Sequence, residues 1–299
     1  MASLLAALGL LVNALAWGIS WWPFRQLEAL EVHPLWATAL IYLVALLALS
    51  LARPTAWRSF RTHPALWVLL LAAGLTNVGF NWAVTIGDVV RVVLLFYLMP
   101  AWVVLLAWLV LGERPTWGSI ARLLLALIGV VVVLKTDASP WPWPSALADY
   151  LALMGGFAFA LTNVMLRKLG AVSPAASMLA MFTGGTLLAG SAAVWGLHMG
   201  LVQALPAVST TWLAWIGGLS LMFLLANLGL QYGAARLSAN AGALIMLSEV
   251  VFASSSAVWL GAGTLTPRIL LGGGLILLAS VLSVWSHSRT PSNPTGPSA

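Results

Sequence analysis

The chain has 299 residues, of which 62% are hydrophobic and only 7% are charged, and its mean hydropathy is +1.01. A soluble domain carries about a quarter charged residues, so this composition excludes a water-soluble protein of this length. Apolar runs of about twenty residues recur along the chain, which is the length a helix needs to cross ~30 Å of hydrocarbon. Because only helices and closed barrels satisfy their backbone in lipid, and these runs are continuous rather than alternating, the sequence predicts an all-α membrane protein.

The formal net charge of +6 is distributed between the apolar runs. No segment has the density of basic residues that a nucleic acid would require, so we interpret the scattered Lys and Arg as signals of membrane topology. The chain contains no cysteine, which excludes disulfides and thiolate chemistry.

Pro, Gly and charge clusters divide the chain into ten predicted spans. In chain order they cover residues 3–22, 34–52, 64–86, 89–111, 117–135, 148–167, 174–198, 211–235, 238–260 and 268–286. The first run has no basic segment before it and is too long for the apolar part of a signal peptide, so we expect it to be retained. The Pro/Ser-rich tail, residues 288–299, is predicted to be disordered.

Lys and Arg also predict the orientation of the spans. With the N-terminus inside, most basic residues lie on the cytoplasmic side, namely Arg53, Arg58, Arg61, Arg114, Arg122, Arg167, Lys168, Arg236 and Arg289. The outer side keeps fewer, namely Arg25, Arg91, Lys135 and Arg268. This bias predicts that both termini are cytoplasmic.

The second half of the chain repeats features of the first. Asn77 to Trp82 (NVGFNW) lines up with Asn227 to Tyr232 (NLGLQY), and Leu111-Gly112-Glu113 lines up with Leu260-Gly261-Ala262. Apolar sequences also align by chance, but here both matched turns are followed by a span that contains glycine. Five spans in each half force opposite orientations, which predicts two inverted five-helix repeats around a central cavity, the architecture of secondary transporters. The predicted division is residues 1–136, an outer linker 137–145, a second repeat 146–287 and the tail 288–299.

Two motifs carry a family resemblance. Trp17-Gly18 in the first span and L-G-E-R-P-T at Leu111 to Thr116 resemble the EamA repeats of the drug/metabolite transporter superfamily, over roughly residues 5–286. The Trp-rich first span, H-P-L-W at His33 to Trp36 and the mid-span Ser248-Glu249 resemble YddG-type aromatic amino-acid exporters. The chain departs from the pattern at Ala262, where the first half has an acid, and it lacks the Arg that is often found early in the second span.

The resemblance implies a function and a location. It implies secondary active or facilitative export of aromatic or hydrophobic neutral amino acids across the bacterial inner membrane by alternating access. It also implies a multi-pass protein that acts as a monomer in the bilayer, binds a small-molecule substrate and needs no cofactor. Efflux of cationic aromatic drugs or other small metabolites, coupled to protons, is the alternative within the same class.

One acid lies in the middle of a predicted span. A carboxylate at this depth costs roughly 3 kcal/mol on insertion scales, so we expect Glu249 to face protein or a cavity rather than lipid. Its counterpart in the first half is Pro100, which frees a backbone carbonyl near Phe96. Together they predict a seat for a substrate ammonium group at the interface of the repeats. A packing kink at Pro100 and a structural hydrogen bond at Glu249 are the alternatives.

Other side chains at similar depth would complete this pocket. Polar or aromatic pairs one helical turn apart face one direction, and we expect the pairs Trp17 and Trp21, Asn77 and Asn81, and Asn227 and Gln231 to do so. The remaining candidates for substrate binding are Tyr97, Trp102, Asn163 and Ser248, with Trp82, Phe157 and Tyr232 as weaker ones. Interhelical hydrogen bonding is the competing explanation for the amides, and ordinary packing is the competing explanation for each aromatic residue.

Other features are predicted to be structural. Gly184-Gly185, Gly272-Gly273-Gly274 and Ser254 to Ser256 indicate close helix packing, and Asp88 and Arg91 are expected to pair at an outer span end. No histidine pair has the spacing of metal ligands.

Other functional classes find less support in the sequence. A P-loop is absent, so ATP is not expected to drive transport directly. A membrane enzyme would need a nucleophile and base that the loops do not offer, and a scaffold would not need Glu249 in a span. A channel would need a filter motif or a ring of charge, and none is present.

Overall fold

The computed structural model describes residues 2–134, 144–234, 236–237, 245–246 and 248–287. Within these ranges the chain is helical with short connections and contains no strand. The helices are α1 (Ala2–Ile19), α2 (Trp21–Ala29), α3 (Pro34–Ala52), α4 (Ser59–Thr62), α5 (Ala65–Ile86), α6 (Val89–Phe96), α7 (Met99–Leu111), α8 (Trp117–Leu134), α9 (Leu147–Lys168), α10 (Pro174–His198), α11 (Thr210–Ala234), α12 (Ser248–Trp259) and α13 (Pro267–His287), with a 3-10 turn at Pro54–Arg58. The predicted all-α class is confirmed.

Among the described residues, seven helical segments are long and apolar enough to cross a membrane, and two shorter apolar helices, Ile120–Val133 and Pro267–Ala279, accompany them. Large apolar side chains such as Leu51 and Leu109 are exposed on the outside of the molecule, as a lipid-facing surface requires. The chain is therefore a multi-pass membrane protein. The count of ten crossings and the inverted relation of the halves stay predictions.

Most predicted spans coincide with described helices, and two contain a break. The first predicted span divides at Ser20, between α1 and α2, and the fourth divides at Tyr97 and Leu98, between α6 and α7. In the ninth span, residues 238–244 and 247 lie outside the described residues, as do 137–143 of the predicted linker and the tail 288–299.

Local sequence fixes where several helices begin. Proline occupies the first position of α3 and α10, where its missing N–H costs nothing. The preceding side chains cap these helices: His33 Nδ1 accepts from the N–H of Leu35, and Ser173 Oγ accepts from the N–H of Ala176. Burial lowers the pKa of His33, which favours the neutral ring that accepts this bond.

Glycines bring the helix backbones together. A Cβ added to Gly184 of α10 would lie 1.9 Å from the carbonyl oxygen of Leu70 on α5, and one added to Gly272 of α13 would lie 2.7 Å from the carbonyl oxygen of Gly129 on α8. Close backbone approach at small residues is the usual basis of helix association in lipid. The predicted packing role is confirmed for Gly184 and Gly272, whereas Gly274 has open space beside it.

A polar cluster closes one end of the molecule. It joins the end of α5, the starts of α6 and α9 and the segment after α12, and we call it the polar lock; its side chains are Arg25, Asp88, Arg91, Asp149 and Thr264. The predicted side-chain pairing of Asp88 with Arg91 is wrong. Asp88 instead caps α6 by accepting from the N–H of Arg91, at 2.9 Å, and accepts from the N–H of Thr264, also at 2.9 Å.

Arg91 holds other elements to this end. Its guanidinium donates to both carboxylate oxygens of Asp149 on α9, at 2.8 and 3.0 Å, and to the carbonyl of Val133 at the end of α8, at 2.8 Å. The carboxylate of Asp149 is 3% exposed. Arg25 donates to the carbonyl of Gly87 at 2.5 Å. The polar lock therefore links both halves of the chain.

The glycine contact gives a stability prediction. Substituting Gly184→Ala forces α5 and α10 apart and is expected to lower the free energy of unfolding by about 1–3 kcal/mol, the usual cost of overpacking. Gly217→Ala is the matched control, because nothing lies within 4 Å of the added Cβ. Thermal unfolding of the purified variants in detergent measures both, and a Gly184→Ala protein as stable as the control would contradict the packing role.

Candidate functional site

A cavity of about 410 Å³ lies between helices from both halves of the chain. Its lining is mainly aromatic and apolar, with a few amides and hydroxyls and one carboxylate. The lining residues are Asn13, Trp17, Tyr42, Ala73, Thr76, Asn77, Phe80, Phe96, Tyr97, Met99, Val103, Phe159, Thr162, Asn163, Leu166, Met181, Phe182, Asn227, Leu230, Met246 and Glu249. None of these described lining residues is basic.

The cavity lies on the side of the molecule away from the polar lock. On α9 the lining runs from Phe159 to Leu166, while Asp149 of the lock lies at the start of the same helix. At 1.5 Å per residue, Phe159 is about 15 Å from Asp149 along the helix axis. On α10 the lining residues Met181 and Phe182 lie near the start of the helix. The space thus extends from mid-helix toward the end opposite the lock.

The carboxylate of Glu249 belongs to this lining. Its side chain is buried, and Oε2 accepts a hydrogen bond of 3.2 Å from the hydroxyl of Tyr97. Tyr97 follows the last residue of α6, at the break in the fourth predicted span. The prediction that Glu249 faces protein and a cavity agrees with this position. Its hydrogen bond joins the break in the first half to α12 in the second.

The predicted seat made from a freed carbonyl is not what the structure describes. A Cβ added to Gly156 of α9 would lie 2.5 Å from the carbonyl oxygen of Phe96, so this carbonyl is packed against a helix backbone. The side chain of Pro100 lies outside the described residues. The polar partner that the first half offers to Glu249 is the hydroxyl of Tyr97 rather than the carbonyl of Phe96.

Stacked rings form the apolar wall of the cavity. Trp17 stacks on Phe223 with ring centroids 4.6 Å apart and meets Phe80 edge-on at 6.2 Å. Phe96 stacks on Phe159 at 5.4 Å and lies 4.8 Å from Phe80. Such a wall holds a flat apolar group by area burial and a nearby cation by its ring faces. With one carboxylate in the same space, the arrangement suits an amine with an aromatic or hydrophobic body.

The amides of the cavity are oriented by their own helices. Asn77, Asn163 and Asn227 each donate through Nδ2 to the carbonyl one turn earlier, at 2.7, 2.8 and 2.9 Å. The hydroxyl of Tyr42 donates to Oδ1 of Asn77. Among the described residues Asn163 and Asn227 have no interhelical hydrogen-bond partner, and both line the cavity.

Four predicted site residues lie outside the cavity lining. Trp21 donates to Ser256 Oγ at 3.0 Å, and Asn81 donates to Thr38 Oγ1 at 3.2 Å. Trp102 meets Phe157 edge-on, and Ser248 Oγ donates to the carbonyl of Ile245. The weaker candidates Trp82, Phe157 and Tyr232 are likewise absent from the described lining. The side chain of Gln231 lies outside the described residues.

Sequence reasoning missed several lining residues. Asn13 lies one turn before Trp17 on α1, so helical spacing from a predicted residue would have found it. Thr162 is adjacent to Asn163 on α9, and adjacent residues do not share a helix face, so spacing from Asn163 does not indicate it. Tyr42 is a polar aromatic in the middle of an apolar span and carried the same signal as Asn77. The apolar members, such as Met181, have no feature in the sequence that separates them from ordinary packing residues.

Comparison with known proteins indicates which class of protein this chain resembles. The profile of the EamA-like transporter family matches residues 4–135. The first half of this chain is therefore similar in sequence to EamA-like transporters. The resemblance to the drug/metabolite transporter superfamily is thereby confirmed, whereas the YddG-type specificity stays a prediction. This similarity favours a membrane transporter of this type over an enzyme.

A solved structure extends the comparison to the second half. A chain titled "Crystal structure of protein" is similar over 96% of this chain and 98% of its own length, with a TM-score of 0.59 and 18% sequence identity. At that identity the similarity concerns the fold. No curated protein sequence matches the chain.

The two tryptophans of the first span give a prediction for ligand binding. Trp17→Leu removes a ring of the cavity wall and is expected to weaken binding of the aromatic amine tryptamine roughly 3- to 10-fold, the usual contribution of one aromatic contact. Trp21→Leu, the matched control, loses its bond to Ser256 and lowers stability without changing affinity. Titration calorimetry on the detergent-purified proteins tests this, and equal losses of affinity in both variants would argue against the cavity as the binding site.

Proposed function

We propose that this protein is a secondary transporter that carries small amines with an aromatic or hydrophobic body across the bacterial inner membrane by alternating access. Export of aromatic and hydrophobic neutral amino acids from the cytoplasm is the leading substrate class, following the sequence resemblance. The observation that carries the proposal is the cavity itself, which joins Glu249 to an aromatic wall and has no basic residue in its described lining. The protein acts as a monomer with both termini in the cytoplasm.

The chemistry of the lining supports this substrate class. A carboxylate in a low-dielectric site that no basic side chain neutralises attracts a cation more strongly than one in water. The rings of Trp17 and Phe80 offer faces to the same cation and bury its apolar body. The volume lies within the range of small-molecule sites, which are mostly 300–1,000 Å³.

The contacts between helices support two inverted five-helix halves. α1 packs on α11 and α12, and α9, its counterpart in the second half, packs on α5 and α6–α7. α3 packs on its own counterpart α10, and α8 packs on its counterpart α13. This pattern is what an approximate twofold axis between residues 1–136 and 146–287 would produce, and it underlies the proposed ten crossings.

Equivalent residues also behave alike in the two halves. Gly79 of α5 approaches the backbone of Gly155, and its counterpart Gly229 of α11 approaches the backbone of Gly9. Asn77 and Asn227 both line the cavity. Gly112 and Gly261, which end matched helices, both have positive φ, at 73° and 69°, the conformation that favours glycine at a helix end.

Alternating access draws support from the unequal ends of the molecule. The polar lock closes one end, whereas the cavity extends toward the other. In this proposal the lock opens when the opposite end closes, so that the substrate reaches each side of the membrane in turn. The described arrangement corresponds to the state open toward the cytoplasm, given the predicted orientation.

A second candidate function is the efflux of cationic aromatic drugs coupled to protons. The specific observation in its favour is that no basic side chain of the described lining would meet the carboxylate of an amino acid. A zwitterion would then place its negative group near Glu249 without a charged partner, whereas a simple cation avoids that cost. Under this alternative Glu249 exchanges a proton for the drug.

Replacing the carboxylate tests the proposed function. Glu249→Gln keeps the shape of the side chain and removes its charge, so we expect counterflow of labelled substrate into proteoliposomes to fall at least about tenfold, the equivalent of ~1.4 kcal/mol. Ser248→Ala, next in sequence and outside the lining, is expected to transport normally. Unlabelled substrate inside the vesicles drives the exchange, and thermal unfolding checks that both variants are folded.

The choice of substrate separates the two candidate functions in the same assay. Counterflow of tryptophan identifies an amino-acid carrier, and counterflow of tryptamine without tryptophan identifies a carrier of cations. Normal transport of both compounds by Glu249→Gln, or no transport of either by the folded wild-type protein, would refute the proposal.

Breaking the ion pair of the lock tests alternating access. Because the chain has no cysteine, one introduced at Ala152 of α9, which is 0% exposed and lies just inside the lock, reports its opening alone. Asp149→Asn is expected to raise the rate of labelling by a membrane-impermeant thiol reagent about tenfold or more, because losing one partner of a buried pair costs several kcal/mol.

The matched control for this experiment breaks the other described ion pair. Glu113→Gln removes the exposed contact with Arg167 at the end of the molecule away from the lock, and labelling at position 152 is expected to stay at the wild-type rate. If Asp149→Asn also left the rate unchanged, the lock would not be a gate.

A further inference from the structure

Asn13 has a buried polar atom that the fold leaves without a partner. The side chain is 1% exposed, and its Nδ2 donates to the carbonyl of Ala226 on α11 at 2.8 Å. Its Oδ1 has no hydrogen-bond partner among the described residues, although the residue lines the cavity. An unmatched buried acceptor is costly, so one on a residue that lines a cavity is a candidate contact for a donor on a ligand.

The neighbouring hydroxyl groups do not supply that donor, because they already donate elsewhere. The hydroxyl of Tyr42 bonds Asn77 and that of Tyr97 bonds Glu249. Thr76 and Thr162 donate to carbonyls of their own helices. Oδ1 of Asn13 and the carboxylate of Glu249 are therefore the side-chain acceptors that α1 and α12 offer to a ligand, beside the amides of Asn163 and Asn227.

Asn13 and Glu249 lie on helices in direct contact. A Cβ added to Gly18 of α1 would lie 2.9 Å from the carbonyl oxygen of Glu249. Asn13 precedes Gly18 on the same helix by about 7.5 Å of axial rise and shares a helix face with Trp17, which also lines the cavity. A small amine against the ring of Trp17 thus has one acceptor on α1 and one on α12.

We propose that Asn13 is a specificity-determining residue whose Oδ1 accepts an N–H of the substrate, so that the site selects primary ammonium groups over fully alkylated ones. This inference rests on the proposed function, because it assigns a second polar contact in the same cavity. Glu249 supplies the charge that any cation meets, whereas Asn13 responds only to the presence of an N–H. A quaternary ammonium has no N–H to give and leaves Oδ1 unmatched.

The experiment compares two ligands that differ only in their N–H groups. Tryptamine and its N,N,N-trimethyl analogue carry the same ring and the same charge, and titration calorimetry on the detergent-purified full chain gives the ratio of their affinities. The wild-type protein is expected to favour tryptamine by about tenfold, the lower range for a hydrogen bond to a charged group. Asn13→Ala is expected to bring that ratio close to one by weakening the primary amine alone.

A second buried asparagine gives the matched control. Asn81 is 0% exposed and also has an Oδ1 without a partner among the described residues, but it does not line the cavity. Asn81→Ala is expected to keep the wild-type ratio whatever its effect on stability. Asn13→Leu, which keeps the side-chain volume, repeats the test if Asn13→Ala does not fold. A purely structural role of Asn13 would weaken both ligands equally and leave the ratio unchanged.

The outcomes distinguish the inference from the proposed function. If the wild-type protein binds both ligands equally, or if the Asn13 variants keep its preference, the role of Asn13 is wrong and the amine transporter stands. If the folded wild-type protein binds neither ligand, the proposed function fails and the role of Asn13 fails with it.

Discussion

The hydrogen bond between Tyr97 and Glu249 ties together the features on which the cavity depends. A carboxylate within a membrane span needs a hydrogen-bond or charge partner from the protein, because lipid supplies none. Here it comes from a tyrosine at the break between α6 and α7, so the interruption of one helix serves the acid of another. The apolar rings around the carboxylate leave few polar groups to weaken its electrostatic attraction for a cation. The break between α6 and α7, the carboxylate of Glu249 and the aromatic wall thus depend on one another, because burying a charge is costly.

Hydropathy predicted the helices well because lipid imposes one dominant constraint on every span. The first residues of α3 and α10 follow directly from Pro34 and Pro174, because proline is favoured at the first position of a helix. The break at Tyr97 and Leu98 directly precedes the start of α7 at Met99 and Pro100, where the sequence had indicated a freed carbonyl or a packing kink, whereas the break at Ser20 was not predicted. About half of the predicted site residues line the cavity, and the failures have identifiable causes.

Regular helical spacing fails where the helix itself is interrupted. Trp17 and Trp21 would share a face on one continuous helix, but α1 ends at Ile19 and Trp21 turns toward Ser256. Asn77 and Asn81 do lie on one helix, yet Asn81 is a turn closer to the polar lock and bonds Thr38 instead. Asp88 was expected to pair with the side chain of Arg91, whereas its carboxylate accepts a hydrogen bond from the N–H of Arg91 at the start of α6. In each case a tertiary or backbone demand overrode a pattern that was correct locally.

Helix α6 has a further mechanical meaning. It is only eight residues long, about 12 Å at the usual rise, and it carries Arg91 near one end with Tyr97 just beyond the other. A helix this short, with a connection at one end and a break at the other, behaves as a rigid body. Because α6 is continuous from Arg91 to Phe96, the contact of Arg91 with Asp149 in the polar lock and the contact of Tyr97 with Glu249 at the cavity are held at a fixed separation by one short helix.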